Sequence, residues 1–220
     1  MKKFILMFLV GSSLLFGEVL YTLDFSQAEG KSAVSWLKTK GFKFMLDSSD
    51  LDFKIKNGRL EIETTKNVAG LFGVQLSKPL NNVGLVTIEW GVDKFPKGAN
   101  WAKDNNRLAI GAILTLGTEK LSSGIPLVKP APYFLAPFIG QKEVVGKVYL
   151  GKLYHKGGRY YCVSNAKGKV VTTKFNIDNE FKKAFKKDTP PLTAFAFQMN
   201  TENTKGGAKA FIKKITFYSK

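Results

Sequence analysis

Phe53-Lys54-Ile55-Lys56-Asn57-Gly58-Arg59-Leu60-Glu61-Ile62-Glu63 is two alternating runs joined by Asn-Gly. Alternation of apolar and charged residues with period two is the pattern of a half-buried strand. Asn and Gly both tolerate the positive φ of a type I′ turn, whose twist matches the flanking strands. The stretch therefore predicts a β-hairpin, and with it an antiparallel sheet.

The same reading extends outward in both directions. Further strands are predicted at 19–25, 42–46, 71–76, 85–92 and 108–116, then at 148–154, 160–164, 170–175, 192–199 and 210–218. There are about eleven, most of them short and bounded by Gly, Asn or Pro, the layout of a sandwich or barrel. Helix is sparse. Asp178 is placed to cap a run over 179–187 in which Phe181 and Phe185 share a face, and 32–40, with Trp36 and Leu37, reads as a second short helix. Strands do not alternate with long helices, which argues against a parallel α/β fold. Two segments read as loops: 95–106, and 118–146 with Pro126, Pro130, Pro132 and Pro137. The prediction is an all-β, antiparallel β-sandwich, jelly-roll-like, with one or two short helices.

The N-terminus reads as a targeting segment. Met1-Lys2-Lys3 is basic, residues 4–16 are apolar apart from Gly11, Ser12 and Ser13, and Gly17 precedes the first acid, Glu18. That order is the layout of a secretory signal peptide, and the apolar run is too short to span a bilayer. The expected organisation is a signal peptide over 1–17 and one domain over 18–220, periplasmic or secreted. Cys162 is the sole cysteine, so no internal disulfide forms, and its apolar neighbours predict a buried side chain.

The 220 residues carry 34 Lys and Arg against 17 Asp and Glu, a net charge of +17. Only Arg59, Arg107 and Arg159 are arginine. Lysine is a hydrated point charge and guanidinium a bidentate fork, so the surface suits diffuse attraction more than built anion sites. A solvated, solubilising surface and an affinity for an anionic surface or polymer both fit. No recognised nucleic-acid module is present, and nucleic acid is not an expected partner.

Over residues 85–220 the chain resembles a bacterial exported family, domain of unknown function 3047. The resemblance rests on Ile88-Glu89-Trp90-Gly91-Val92, Asp104-Asn105-Asn106-Arg107, and Asp178 leading into Phe181, Phe185 and Pro190-Pro191. Asn200 to Thr204 and the closing Ile215-Thr216-Phe217 complete it. It implies an exported β-sandwich and brings no established activity. The family has aspartates near the positions of Asn105 and Asn200, so a cation role there would have less charge to draw on in this chain.

The chemistry-bearing residues are few. His155 is the single histidine, which leaves no nucleophilic triad and no zinc set. Gly157-Gly158 and Gly206-Gly207 read as turns. Paired-carboxylate chemistry would draw on Glu89, Asp93, Asp104 or Glu202. Binding is better supported. Trp101 lies in a polar loop with Asp104, Asn105, Asn106 and Arg107, where an indole can stack on a sugar while amides bond its hydroxyls. The competing reading has Trp101 plugging the sandwich end. Trp90, on a strand, reads as core, and Tyr133, Phe134 and Phe138 as a second apolar surface or as pins for the long loop. Asn200, Glu202 and Asn203 form a second polar cluster with oxygens suited to calcium, on thin grounds.

The candidate ligand-binding residues are thus Trp101, Asp104, Asn105, Asn106, Arg107, Asn200, Glu202 and Asn203, with no catalytic residue, metal or cofactor expected. The predicted function is an exported non-catalytic binding protein for a glycan or other envelope polymer. A polysaccharide-acting enzyme is the first alternative. The second is a structural envelope protein on anionic lipopolysaccharide or membrane, by peripheral association and without a transmembrane segment. Two carboxylates converging in one cleft would favour the enzyme.

Overall fold

The structure is a computed structural model that describes residues 17–220. Of the segment read as a signal peptide over 1–17, residues 1–16 lie outside the described residues. In chain order come β1 (Val19–Asp24), α1 (Ala33–Thr39), β2 (Lys43–Leu46), β3 (Asp52–Lys56), β4 (Arg59–Thr64), β5 (Ala69–Leu80), β6 (Val83–Lys94), β7 (Leu108–Leu121) and β8 (Ala131–Ile139). They are followed by β9 (Val148–Tyr149), β10 (Gly158–Ser164), β11 (Val171–Asn176), α2 (Ile177–Phe185), β12 (Leu192–Asn200) and β13 (Ala208–Ser219).

The strands form two sheets. One runs β11-β6-β13-β4-β3, with β1 on the far half of β13; the other runs β2-β5-β12-β7-β8-β10-β9. The Asn57-Gly58 turn is as the sequence predicts: φ is 54° and 66°, and Ile55 pairs with Leu60 and Phe53 with Ile62. Strand alternation sends Leu60, Ile62, Ile88, Trp90, Ile212 and Phe217 inward from the first sheet, and Phe72, Leu114, Phe195 and Phe197 inward from the second. Burial of each such side chain contributes roughly 1.5–3 kcal/mol. The Trp90 indole, fully buried, donates to Thr173 Oγ1 at 2.9 Å, so its one polar atom is met. Cys162 is buried as expected, and burial pushes its thiol up from the ordinary value. Among the described residues no helix is long and apolar enough to cross a membrane.

Three expectations are corrected. Residues 118–146 are not one loop: β7 continues to Leu121, and β8 lies within the segment. Proline is depleted in inner strands because it has no N–H. Here Pro132 sits beyond a register shift in the β7–β8 pairing, and alternation of Tyr133 and Leu135 inward with Phe134 and Phe138 outward holds the strand. The strand at 148–154 shrinks to Val148–Tyr149, after which the chain leaves the edge of β10. β8 and β10 pair in parallel, so residues 140–157 must cross from one end of the sheet to the other.

The third correction is the cap of α2. Asn176 Oδ1 accepts from the Asn179 N–H at 2.8 Å and is the N-cap; Asp178 lies in the first turn. The two residue types compete for the same role, and the helix starts two residues earlier than expected. Burial pushes the Asp178 carboxyl up, but the ammonium groups of Lys220 at 2.8 Å and Lys182 at 3.0 Å outweigh it and bring its pKa to about 2. The expected pairing of Phe181 and Phe185 is present, with ring centroids 4.8 Å apart and both rings against Tyr133.

Candidate ligand-binding groove

The outer face of the second sheet carries a groove of about 770 Å³. Its floor follows from which side chains alternation sends outward. On β12 these are Ala194, Ala196, Gln198 and Asn200; on β7, Ile113 and Thr115. Gly73 of β5 pairs with Ala196, and Ala196 with Ile113, so the centre of the sheet is low. Met45, Leu46 and Leu71 raise one side.

The other side is a ladder of aromatic rings. Trp101 lies 4.6 Å from Tyr160, Tyr160 5.6 Å from Phe134, and Phe134 6.3 Å from Tyr154, centroid to centroid. All four line the groove. The tip of the Phe134 ring fills the space where a Cβ on Gly158 would stand, so a side chain there would displace the ring. Tyr160 is packed between its neighbours, and burial, with a smaller contribution from Tyr154, pushes its phenol up to about 12.

That shift has a measurable sign. The neutral phenol is favoured in the fold, so its contribution is present below the ordinary tyrosine pKa of about 10 and is lost as pH rises through about 12. The domain is expected to lose melting temperature between pH 10 and about 12, and Tyr160→Phe to lose less over the same interval. An equal loss in the variant would show that the hydroxyl is solvated.

The end wall is the loop before β7. Asn100 caps a short 3-10 turn, Trp101–Lys103, through its side-chain oxygen, and Asp104 follows at φ 56°. Trp101 is only 5% exposed. Its indole N–H donates to the Arg107 carbonyl at 3.1 Å, and its ring stacks on Phe138 at 5.0 Å and meets Tyr149 edge-on at 6.0 Å. With Leu108 and Cys162 these rings form a second apolar cluster on the outside of the sheet. The exposed-platform reading of Trp101 is corrected: it plugs the end of the face and shows the groove an edge. Its backbone N–H donates to the carboxylate of Glu143, itself 5% exposed, which also accepts from the N–H groups of Gln141 and Lys142.

The two polar clusters of the sequence meet here. Arg107 Nε donates to the Glu202 carbonyl at 2.7 Å, and its Nη2 lies 3.4 Å from the Glu202 carboxylate. Asn105 Nδ2 donates to Gly98 O at 2.8 Å and to Asn203 O at 3.4 Å. Of the eight candidates, Trp101, Asn106, Arg107, Asn200 and Glu202 line the groove. Asp104, Asn105 and Asn203 do not: Asp104 is exposed, Asn105 is spent on tying the two loops, and Asn203 is exposed at the turn beyond. Asn106 Oδ1 is shielded and accepts no hydrogen bond within the protein.

The carboxylates considered for catalysis are scattered. Glu89 faces Lys213 and Asp93 faces Arg59 on the other sheet, Asp104 is exposed, and only Glu202 reaches the groove. Among the described residues no three or more His, Cys, Asp and Glu side chains gather as a metal site would need. Tyr154, Tyr160 and Gln198 were not singled out from sequence. The outward alternation of Phe134 and Phe138 was the available signal, and it lay inside the segment read as loop.

No protein-family model matches the chain, and no curated protein matches it. Among solved structures it is similar to a family 29 carbohydrate-binding module mutant complexed with mannohexaose, at 12% identity and a TM-score of 0.43, covering 92% of this chain and 94% of that one. It is also similar to the low-affinity xylan-binding module CBM86 from the gut symbiont Roseburia intestinalis, at 11% identity and a TM-score of 0.35, covering 81% and 96%. A third is a family 29 module from Piromyces equi, at 11% identity and a TM-score of 0.36, covering 81% of each chain. These likenesses are too distant to assign a family or a ligand, and the functional argument rests on the groove.

Proposed function

We propose that the chain is an exported, non-catalytic binding protein whose groove takes a glycan or other cell-envelope polymer. The observation that carries this reading is the ring ladder Trp101–Tyr160–Phe134–Tyr154 beside Asn106, Arg107, Gln198 and Asn200 in one groove. Apolar faces next to convergent amides suit a sugar, which has apolar C–H faces and a rim of hydroxyls. Glu202, the one carboxylate on the groove among the described residues, is held by Arg107, an arrangement that positions a loop rather than a proton. The periplasmic or secreted location rests on the N-terminal segment, and the resemblance to domain of unknown function 3047 stands as a proposal on the residues quoted for it.

The test is a glycan array with the domain beginning at Glu18, followed by titration of any ligand found. Tyr154→Ala and Gln198→Ala are expected to lower affinity, the former by about 10- to 100-fold for a stacked ring. A glycan bound equally well by both variants would place its site elsewhere. Absence of any glycan hit from a well-folded domain would sink the reading.

A further inference from the structure

The two sheets present different surfaces. On the outside of the first, charges are paired: Arg59 with Glu61 at 2.6 Å, Lys209 with Glu63 at 3.5 Å, Lys214 with Asp24 at 3.5 Å. Residues 120–170 are otherwise. They hold eight lysines and Arg159 against a single acid, Glu143. That acid is buried, with its carboxylate on backbone N–H groups, and neutralises nothing at the surface. The same stretch carries eight of the eleven large hydrophobic side chains that are exposed among the described residues.

The fold gathers those between Ile125 and Leu153 along one edge, while Val170 leads into β11 of the first sheet. β9 is the last strand of its sheet, and the chain after it, with Leu150 and Leu153, leads on to the start of β10. The loop holding Ile125 and Leu127 is fastened to it: Tyr154 N–H donates to Ser123 O at 3.4 Å and Tyr154 Oη to Lys129 O at 3.1 Å. Val144 and Val145 precede β9. Lys129, Lys142, Lys147, Lys152 and Lys156 are exposed among them.

Water solvates the ammonium groups well and the aliphatic groups poorly, so a partner that satisfies this edge must offer anions and hydrocarbon together. A soluble polyanion covers only the charge. A second copy of this chain would set lysine against lysine. A lipid surface offers both, and its mobile headgroups suit lysine point charges rather than a bidentate fork. We propose that the β9 edge, with the loops at 122–130 and 140–157, docks on an anionic phospholipid surface, its aliphatic side chains entering the headgroup layer. Ile125 and Leu153 also line the groove, so docking holds the groove mouth beside the headgroups. The inference stands apart from the glycan reading, because no sugar is needed for it.

The experiment is co-sedimentation of the domain from Glu18 onward with vesicles, of phosphatidylcholine alone or with about one third phosphatidylglycerol. The protein is expected to pellet only with the anionic vesicles. Ile125→Ser with Leu127→Ser, and separately Lys152→Glu with Lys156→Glu, are each expected to weaken partitioning about tenfold or more. All four side chains are exposed, so the fold is not at stake. Lys31→Glu with Lys38→Glu changes net charge equally just before and within α1, which packs near β3 at the opposite edge of the sandwich, and is expected to cost less than about twofold. Equal losses from both lysine pairs, or no loss from the serine pair, would reduce the effect to net charge and overturn the proposal. Failure to pellet with anionic vesicles would overturn it outright, and a concentration-dependent dimer in sedimentation velocity would then assign the edge to a second copy.

Discussion

Trp101→Ala is expected to destabilise the domain by about 3–5 kcal/mol. For a domain of this size that is a fall in melting temperature of roughly 6–20 °C. The loss has three sources. The indole is 5% exposed, and its removal leaves a cavity between Phe138, Tyr149 and Tyr160. The Arg107 carbonyl loses the donor it meets at 3.1 Å. The loop that holds Arg107 against Glu202 loses its anchor. Trp101→Phe keeps most of the packing and forfeits the hydrogen bond, so a loss nearer 1–2 kcal/mol is expected. Denaturant unfolding of both variants is the measurement. A cost below about 1 kcal/mol for the alanine variant would mean that the ring is free in solution, and would restore Trp101 as an exposed stacking platform.

The sequence and the structure agree where the signal is local and disagree where it is not. The hairpin at Asn57-Gly58 was legible because turn chemistry and alternation are both written within eleven residues. Trp90 was legible as core because it falls in phase with Ile88 and Val92. β8 was not, because Pro132 and Pro137 lower the local preference for strand, and the pairing with β7 and β10 that overrides it is tertiary rather than local. The site divides the same way. The 95–107 loop and the residues around Asn200 were each visible as polar clusters. Their meeting through Arg107 and Glu202, 95 positions apart, is a property of the topology. Trp101 itself was ambiguous in principle. Exposure depends on whether a neighbouring strand supplies a surface to lie on, and Phe138 does so from a segment read as loop.

Glu143→Ala is expected to cost about 2–4 kcal/mol, a large effect for a residue outside the main core. The carboxylate accepts from the N–H of Trp101 at 3.0 Å, of Gln141 at 2.7 Å and of Lys142 at 2.9 Å. It thereby joins the crossover between β8 and β9 to the loop before β7, two segments with no strand pairing between them. A buried acceptor facing several backbone donors stabilises mainly through what its removal exposes: each donor left unmet and shielded costs about 1–3 kcal/mol, less whatever water recovers. Glu143→Gln is not expected to restore the site. The amide oxygen can take the Oε2 position and accept from both Gln141 and Lys142, but the amide nitrogen then faces the N–H of Trp101. Because Trp101 hangs from this carboxylate, the two residues should couple. The double variant Trp101→Ala with Glu143→Ala is expected to lose less than the sum of the single losses, by at least about 0.5 kcal/mol, since each change already loosens the loop the other secures. Additivity within about 0.3 kcal/mol would show that the plug and the carboxylate act independently. The end wall of the groove would then be held by the Arg107–Glu202 contact rather than by Glu143.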